Sequence, residues 1–199
     1  MNLSAPDAAT RQTLYLARHG RTALNAEGRL RGLADPPLDE IGLAEGSRLG
    51  EALARQAARP GHQPITLVLS SPLQRAVSTA AAIAAAVGAP HRADVRFNDR
   101  DYGPWTGHPK SDVVRDFGSV DAAPGVEPTA AVLVRALPAL AELRASGATV
   151  VVVTHDAVIR PLLESLDPGL AGITVPTASW AALAATSDGW GVESFDNQG

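Results

Sequence analysis

No cysteine occurs among the 199 residues. That absence excludes disulfides, cysteine nucleophiles and thiolate metal sites together, and it leaves five histidines as the chemically interesting nucleophiles or ligands. Positive charge is in deficit as well: the formal net charge is −4, and no run of Lys or Arg offers a local exception. A general nucleic-acid binder is not expected from this balance, so any anionic ligand must be held by a local cluster of cations. Long apolar runs are missing too. The longest, around Ala80 to Val87 and Val150 to Val153, are too short to span a bilayer, and no membrane partner is expected. The opening MNLSAPDAAT has neither the basic start nor the apolar stretch of a secretory signal; residues 1–10 read as a loose leader, and a cytoplasmic location is expected.

What is present is ordinary for a globular protein, with 45% hydrophobic and 19% charged residues. The length suits one α/β domain with a substantial core, here expected over residues 11–199. Thr13 to Ala17 is short, apolar and followed by the polar break Arg18-His19-Gly20, as expected of a buried strand ending in a loop. A Gly/Arg/Pro-rich loop runs to Pro37, and Asp39 then caps a helix over roughly Glu40 to Ala58, with Leu43, Leu49 and Leu53 as its apolar side. Ile65 to Leu69 reads as a second buried strand, and Ser70-Ser71-Pro72 opens a helix with Arg75 in its first turn.

The same alternation continues to the end. His91 to Phe97 is a further candidate strand, Asp101 to Lys110 a loop, and Pro128 to Ser146 a helix with a possible kink at Pro138. Val150 to Val153 is the clearest strand, ending at Thr154-His155-Asp156 before a helix to about Leu166; Trp180 to Ala185 and Gly191 to Phe195 close the chain as a pair of strands. This order predicts an α/β fold, a three-layer α/β/α sandwich whose central sheet is mostly parallel.

Three strands thus end in Arg18-His19-Gly20, in Ser70-Ser71-Pro72 leading to Arg75, and in Thr154-His155. In an open α/β sheet ligands collect beyond the carboxyl ends of the strands, so these fragments converge on one expected site. Arginine presents a planar fork of donors matched to phosphate oxygens, and the set points to a phosphoryl pocket. One neutral imidazole can take a phosphoryl group, splitting a hard displacement into two easier ones. The other histidine and both arginines can then stabilise charge on the equatorial oxygens. A leaving alkoxide also needs a proton, for which Asp99 and Asp156 are the two candidates.

On these residues the chain resembles the histidine phosphatase superfamily, the phosphoglycerate-mutase-like proteins. Arg18-His19-Gly20-x-Thr22-x-x-Asn25 is similar to the family's opening motif and Ser71-Pro72-Leu73-x-Arg75-Ala76-x-x-Thr79-Ala80 to its second. Asp99-Arg100-x-Tyr102-Gly103 stands where the family usually carries a catalytic Glu, and Thr154-His155-x-x-Val158-Ile159-Arg160 matches the closing motif. The resemblance implies His19 as the phosphorylated nucleophile, Arg18, Arg75 and His155 as the phosphate clamp, and Asn25, with Thr22 of the same motif, as further substrate ligands. It implies Asp99 as proton donor and Glu127 as the acid of a motif that here reads Gly125-Val126-Glu127. Asp99 is one methylene shorter than the usual Glu, so its carboxyl must be brought closer by the backbone or act through water. Asp156 resembles the acid of the acid-phosphatase and phytase branch. Asp99 is favoured because its surrounding motif fits the shorter branch, and Asp156 is read instead as a helix N-cap.

The expected activity is hydrolysis of a small phosphomonoester through a phosphohistidine on His19. A phosphoglycerate-type mutase and a catalytically silent module that binds a phosphorylated ligand are the alternatives. The short interval between Asp99 and His155 favours an open site and hydrolysis. No cofactor is expected. Nor is a metal, since His19 and His155 come with arginines rather than carboxylate ligands. Arg29 and Arg31 are candidates to meet the non-reacting end of an anionic substrate, with Arg31 counted among the binding residues. Tyr102 and Trp105 either wall the pocket or pack against the core, and His62, His91 and His108 are read as surface residues.

Overall fold

The computed structural model describes residues 11–199, so the leader read from the sequence lies outside the described residues. The central sheet has six strands: β1 (Thr13–Arg18), β2 (Ile65–Ser70), β3 (His91–Ala93), β4 (Thr149–Thr154), β5 (Trp180–Ala185) and β6 (Trp190–Asn197). Their order is β3-β2-β4-β1-β5-β6. The first four are mutually parallel, while β5 runs antiparallel to β1, and β6 antiparallel to β5. Parallel neighbours need crossovers, which α2 (Glu40–Ala57), α3 (Gln74–Val87) and α5 (Thr129–Ala145) supply.

Side-chain alternation along the central strands decides what each face packs against. Leu14, Leu16, Val150 and Val152 join a core with Val132, Ala136 and Leu140 of α5 and Val158, Leu162 and Leu163 of α6 (Asp156–Leu166). Tyr15, Ala17, Val151 and Val153 point the other way, onto Leu49 and Leu53 of α2 and Ala76, Ala80 and Ile83 of α3. With helices on both faces, β4 is buried along its whole length, which is why it reads as an unbroken valine run. The fold is the α/β/α sandwich with a mostly parallel sheet that the alternation predicts.

Four local features differ from expectation. Where a strand is predicted over His91–Phe97, only His91–Ala93 pairs with β2; the Asp94 side chain then accepts from the Arg96 N–H at 2.9 Å and turns the chain into a single 3₁₀ turn, Val95–Phe97. α1 (Ala23–Ala26) sits inside the predicted loop, held by a capping box between Thr22 and Asn25. α4 (Lys110–Phe117) lies where the pattern assigns no element; its Val113 and Phe117 pack with Leu30, Tyr102 and Trp105 in a small satellite core. α6 begins at Asp156 with His155 as its N-cap residue, and the Asp156 carboxylate pairs with Arg160 at 3.1 Å instead of capping. α5 continues through Pro138, whose missing donor falls on an exposed face of the helix.

Candidate active site

Strands β1, β4 and β2 lie side by side, so their carboxyl ends deliver Arg18-His19, Thr154-His155 and Ser70-Ser71 to one edge of the sheet. Pairing continues one step beyond the strands: the His19 N–H donates to the Thr154 carbonyl at 3.1 Å and the Ser71 N–H to the Val153 carbonyl at 3.0 Å. These bonds hold the three loops in fixed register. The His19 and His155 rings come to 5.0 Å between centroids, and both side chains are fully buried.

His19 has its tautomer set by the main chain. Its Nδ1 lies 2.6 Å from the carbonyl of Gly20, an acceptor only, so Nδ1 carries the proton and Nε2 carries the lone pair. Burial foremost, then the nearby His155 ring and the positive Arg18, Arg75 and Arg31, hold the ring well below the ordinary imidazole range. His155 is depressed in the same way, by burial and by Arg75, Arg31 and Arg18. Both rings are therefore neutral at physiological pH.

Arg75 is the largest fully buried side chain. Its Nη1 donates to the Ala34 carbonyl at 2.7 Å, and its Nη2 to the Gly32 carbonyl at 2.8 Å and to Asp99 Oδ2 at 2.9 Å. The same Oδ2 stands 3.5 Å from His155 Nδ1, while Oδ1 accepts from the Arg100 N–H at 2.8 Å. Arg18 donates from Nη1 to the Val175 carbonyl, and burial, with Arg31 close by, draws it down to about 10. What remains is a set of buried nitrogens with no protein partner: Nε of Arg18, Arg31 and Arg75, Nε2 of His19 and both ring nitrogens of His155. Buried polar atoms are normally satisfied, and this many side by side in one electropositive spot describe a seat for an anion.

Above that seat opens a cavity of about 650 Å³. Arg18, Asn25, Arg31, Tyr102 and Asp156 line its wall, together with Arg29, Arg100, Lys110 and Arg160. His19, Arg75, Asp99 and His155 lie beneath it and are not on its surface. Thr22 is buried and engaged in the cap of α1, and Asn25 gives its carboxamide oxygen to the Thr22 N–H and hydroxyl, leaving the amide N–H groups to offer a ligand. Tyr102 both lines the cavity and packs in the satellite core, whereas Trp105 meets Phe117 edge-to-face and donates to the Pro124 carbonyl. Glu127 binds Arg135 at 3.2 Å, away from the cavity. Arg100, Lys110 and Arg160 are cavity residues that spacing alone did not single out as ligands; Lys110 and Arg160 come there only through the packing of α4 and α6. His62 and His91 are half-buried and His108 exposed, all outside the site. Among the described residues no group of His, Asp and Glu forms a metal-ligand set, and no helix is long and apolar enough to cross a membrane.

A neutral, tautomerically fixed imidazole ringed by arginines at the carboxyl edge of a parallel sheet defines an enzyme of phosphoryl transfer to histidine. The chain belongs to the histidine phosphatase superfamily (branch 1), whose pattern matches residues 14–198, and its activity is that of a histidine phosphatase. A 2,3-bisphosphoglycerate-dependent phosphoglycerate mutase of Methylobacterium sp. (strain 4-46) is 33% identical over 180 residues, spanning 82% of this chain and 84% of that protein. The glucosyl-3-phosphoglycerate phosphatase of Mycobacterium tuberculosis (strain ATCC 25618 / H37Rv) is 32% identical over 189 residues, spanning 85% of this chain and 79% of that protein. Among solved structures, mycobacterial glucosyl-3-phosphoglycerate phosphatase in complex with VO3 superposes with a TM-score of 0.82 at 27% identity, covering 94% of this chain and 100% of the other.

Proposed function

We propose that the protein takes the phosphoryl group of a small phosphorylated metabolite onto Nε2 of His19 and passes it to water. The observation that carries this reading is the free lone pair of a buried, neutral His19 facing the unpartnered nitrogens of Arg18, Arg31, Arg75 and His155. In the first step Nε2 bonds to phosphorus as the bond to the leaving oxygen breaks, and Asp99 gives that oxygen a proton. Arg18, Arg75 and His155 donate to the equatorial oxygens, where preorganised donors contribute most; Asn25 adds an amide N–H. In the second step the Asp99 carboxylate accepts a proton from water as its oxygen attacks phosphorus and the P–N bond breaks.

Asp99 is ion-paired with Arg75 in the free protein. A bound phosphoryl dianion competes for that guanidinium, which frees the Asp99 carboxyl to act on the leaving oxygen. Asp156 is the second reading for this role, because its carboxylate lines the cavity and Asp99 does not. The relatives named above act on phosphoglycerate derivatives, and Arg29, Arg31, Lys110 and Arg160 suit the anionic end of such a molecule. Hydrolysis is preferred to mutase chemistry because the cavity beside the seat leaves room for water.

Brief incubation with a radiolabelled phosphomonoester in the presence of a metal chelator, followed by denaturation, is expected to leave acid-labile, alkali-stable label on His19. His19→Ala should lack the label and lose at least about a thousandfold in turnover. Unchanged turnover in that variant, or activity that vanishes in chelator and returns with a divalent cation, would overturn the reading.

A further inference from the structure

The segment that carries Asp99 belongs to no strand or long helix, so its main-chain carbonyls must find partners elsewhere. The Phe97 carbonyl accepts from the Thr154 hydroxyl at 2.7 Å, which ties the segment to the end of β4 next to His155. The carbonyls of Arg96, Asn98 and Asp99 all converge on one side chain, Arg135 of α5. Its Nη1 donates to Arg96 and Asn98, each at 2.8 Å, and its Nη2 to Asp99 at 3.0 Å. The rest of the guanidinium faces Glu127, with Nε 3.2 Å from Oε1 and Nη2 3.4 Å from Oε2. Glu127 in turn accepts from the Asp101 N–H at 3.0 Å, and its own N–H donates to the Asp101 carbonyl at 2.8 Å. Every N–H of the Arg135 fork is thus engaged, either on the carbonyls of residues 96–99 or on Glu127, which in turn holds Asp101.

We propose that Arg135 is the positioning residue for Asp99, holding the main chain of residues 96–99 so that a short aspartate carboxylate reaches the Arg75 and His155 end of the site. The proposal rests on the reading of Asp99 as the proton donor. Aspartate has one rotatable methylene fewer than glutamate, so its carboxyl follows the backbone with little slack, and any drift of the segment reaches Oδ2 undamped. The Arg135 donors are all engaged by these carbonyls and by Glu127, so it acts through Asp99 and not on the substrate. Planarity matters here: a fork can meet three carbonyls and a carboxylate at once, which a single ammonium cannot.

The experiment compares turnover of an alkyl and an aryl phosphomonoester, because an alkoxide needs its proton in the transition state and a phenolate scarcely does. Wild type, Asp99→Asn, Asp156→Asn, Arg135→Ala, Arg135→Lys and Asp99→Asn with Arg135→Ala are assayed, with folding checked by thermal unfolding. Arg135→Ala should lower kcat on the alkyl substrate roughly ten- to a hundredfold, the scale of an ångström-level misplacement. The aryl rate should change far less and KM should stay within about twofold. Arg135→Lys, which keeps the charge toward Glu127, should restore only part of the alkyl rate. In the Asp99→Asn background, removing Arg135 should lower the alkyl-to-aryl ratio no further. If Asp99→Asn lowers the ratio while the Arg135 variants leave it level or add independently, Arg135 is merely structural and the proposal is wrong. If Asp99→Asn leaves the ratio level and Asp156→Asn lowers it, the acid is Asp156, and both readings fall together in a way the first outcome does not mimic. Should Arg135→Ala fail to fold, the Lys variant alone decides between these results.

Discussion

His19 and His155 share one buried, electropositive environment, and its effect on their protonation reaches beyond catalysis. Each imidazole is held well below its ordinary value of 6.5 in the folded protein, with burial as the first cause and the surrounding arginines as the next. In the unfolded chain both return to that ordinary value. Below it the unfolded state binds protons that the folded state refuses, so stability is fully present at higher pH and is lost progressively as pH falls through 6.5. Thermal unfolding in phosphate-free buffers should therefore show Tm falling with acidification from about that pH, and His155→Asn should flatten the slope. A Tm independent of pH between neutrality and mild acid would show that the rings are not buried neutral. For the chemistry, the same depression means that His19 keeps its lone pair into mildly acidic solution, so the acid limb of kcat/KM should not report an unperturbed histidine.

At the scale of elements, the loop after β1 is fixed by its contact with the start of α2. A Cβ on Gly42 would stand 2.0 Å from the Arg21 carbonyl oxygen, and one on Gly20 would stand 2.4 Å from the Gly42 carbonyl oxygen. Side-chain bonds reinforce this approach: the Arg21 N–H donates to Glu45 at 2.7 Å, and Asp39 both caps α2 and pairs with Arg21 at 2.9 Å. The helix thus presses on the residues flanking His19. Gly42→Ala should force the two apart, destabilising the protein by about 1–3 kcal/mol in urea unfolding and lowering kcat through displacement of His19. A variant with the wild-type unfolding midpoint and turnover would mean that the loop can yield without moving the nucleophile.

Over the whole molecule, a net charge of −4 coexists with a cavity walled by Arg18, Arg29, Arg31, Arg100, Lys110 and Arg160. Several of these are neutralised locally, Arg29 by Glu27, Arg100 by Asp121 and Arg160 by Asp156. Arg18, Arg31 and Lys110 form no ion pair among the described residues, so they carry the field that draws anions in. Charges near solvent are screened over about 10 Å at 0.1 M ionic strength, which predicts that kcat/KM for a substrate with a second anionic group falls more steeply with salt than for a simple aryl phosphate. Arg31→Gln should blunt that difference and raise KM. Equal salt slopes for the two substrates would place the second anion elsewhere.

The amino-acid sequence by itself determined the layered α/β architecture, because strands buried on both faces read as short apolar runs, and polar breaks mark their ends. It also brought out His19, Arg18, Arg75 and His155, since each stands at a strand end or in the first turn of a helix, and Asp99 through the motif around it. Tertiary structure alone decided the rest. That β4 inserts between β1 and β2, placing His155 against His19, depends on long-range pairing that no local pattern encodes. The α4 helix exists because Val113 and Phe117 find Tyr102 and, far back in the chain, Leu30. The tautomer of His19 follows from where the Gly20 carbonyl points, and the place of Asp99 from Arg135, thirty-six positions further on. Local sequence records which residues have the right chemistry, while the distances that let them act on one another arise only when loops from separate strands are bound side by side.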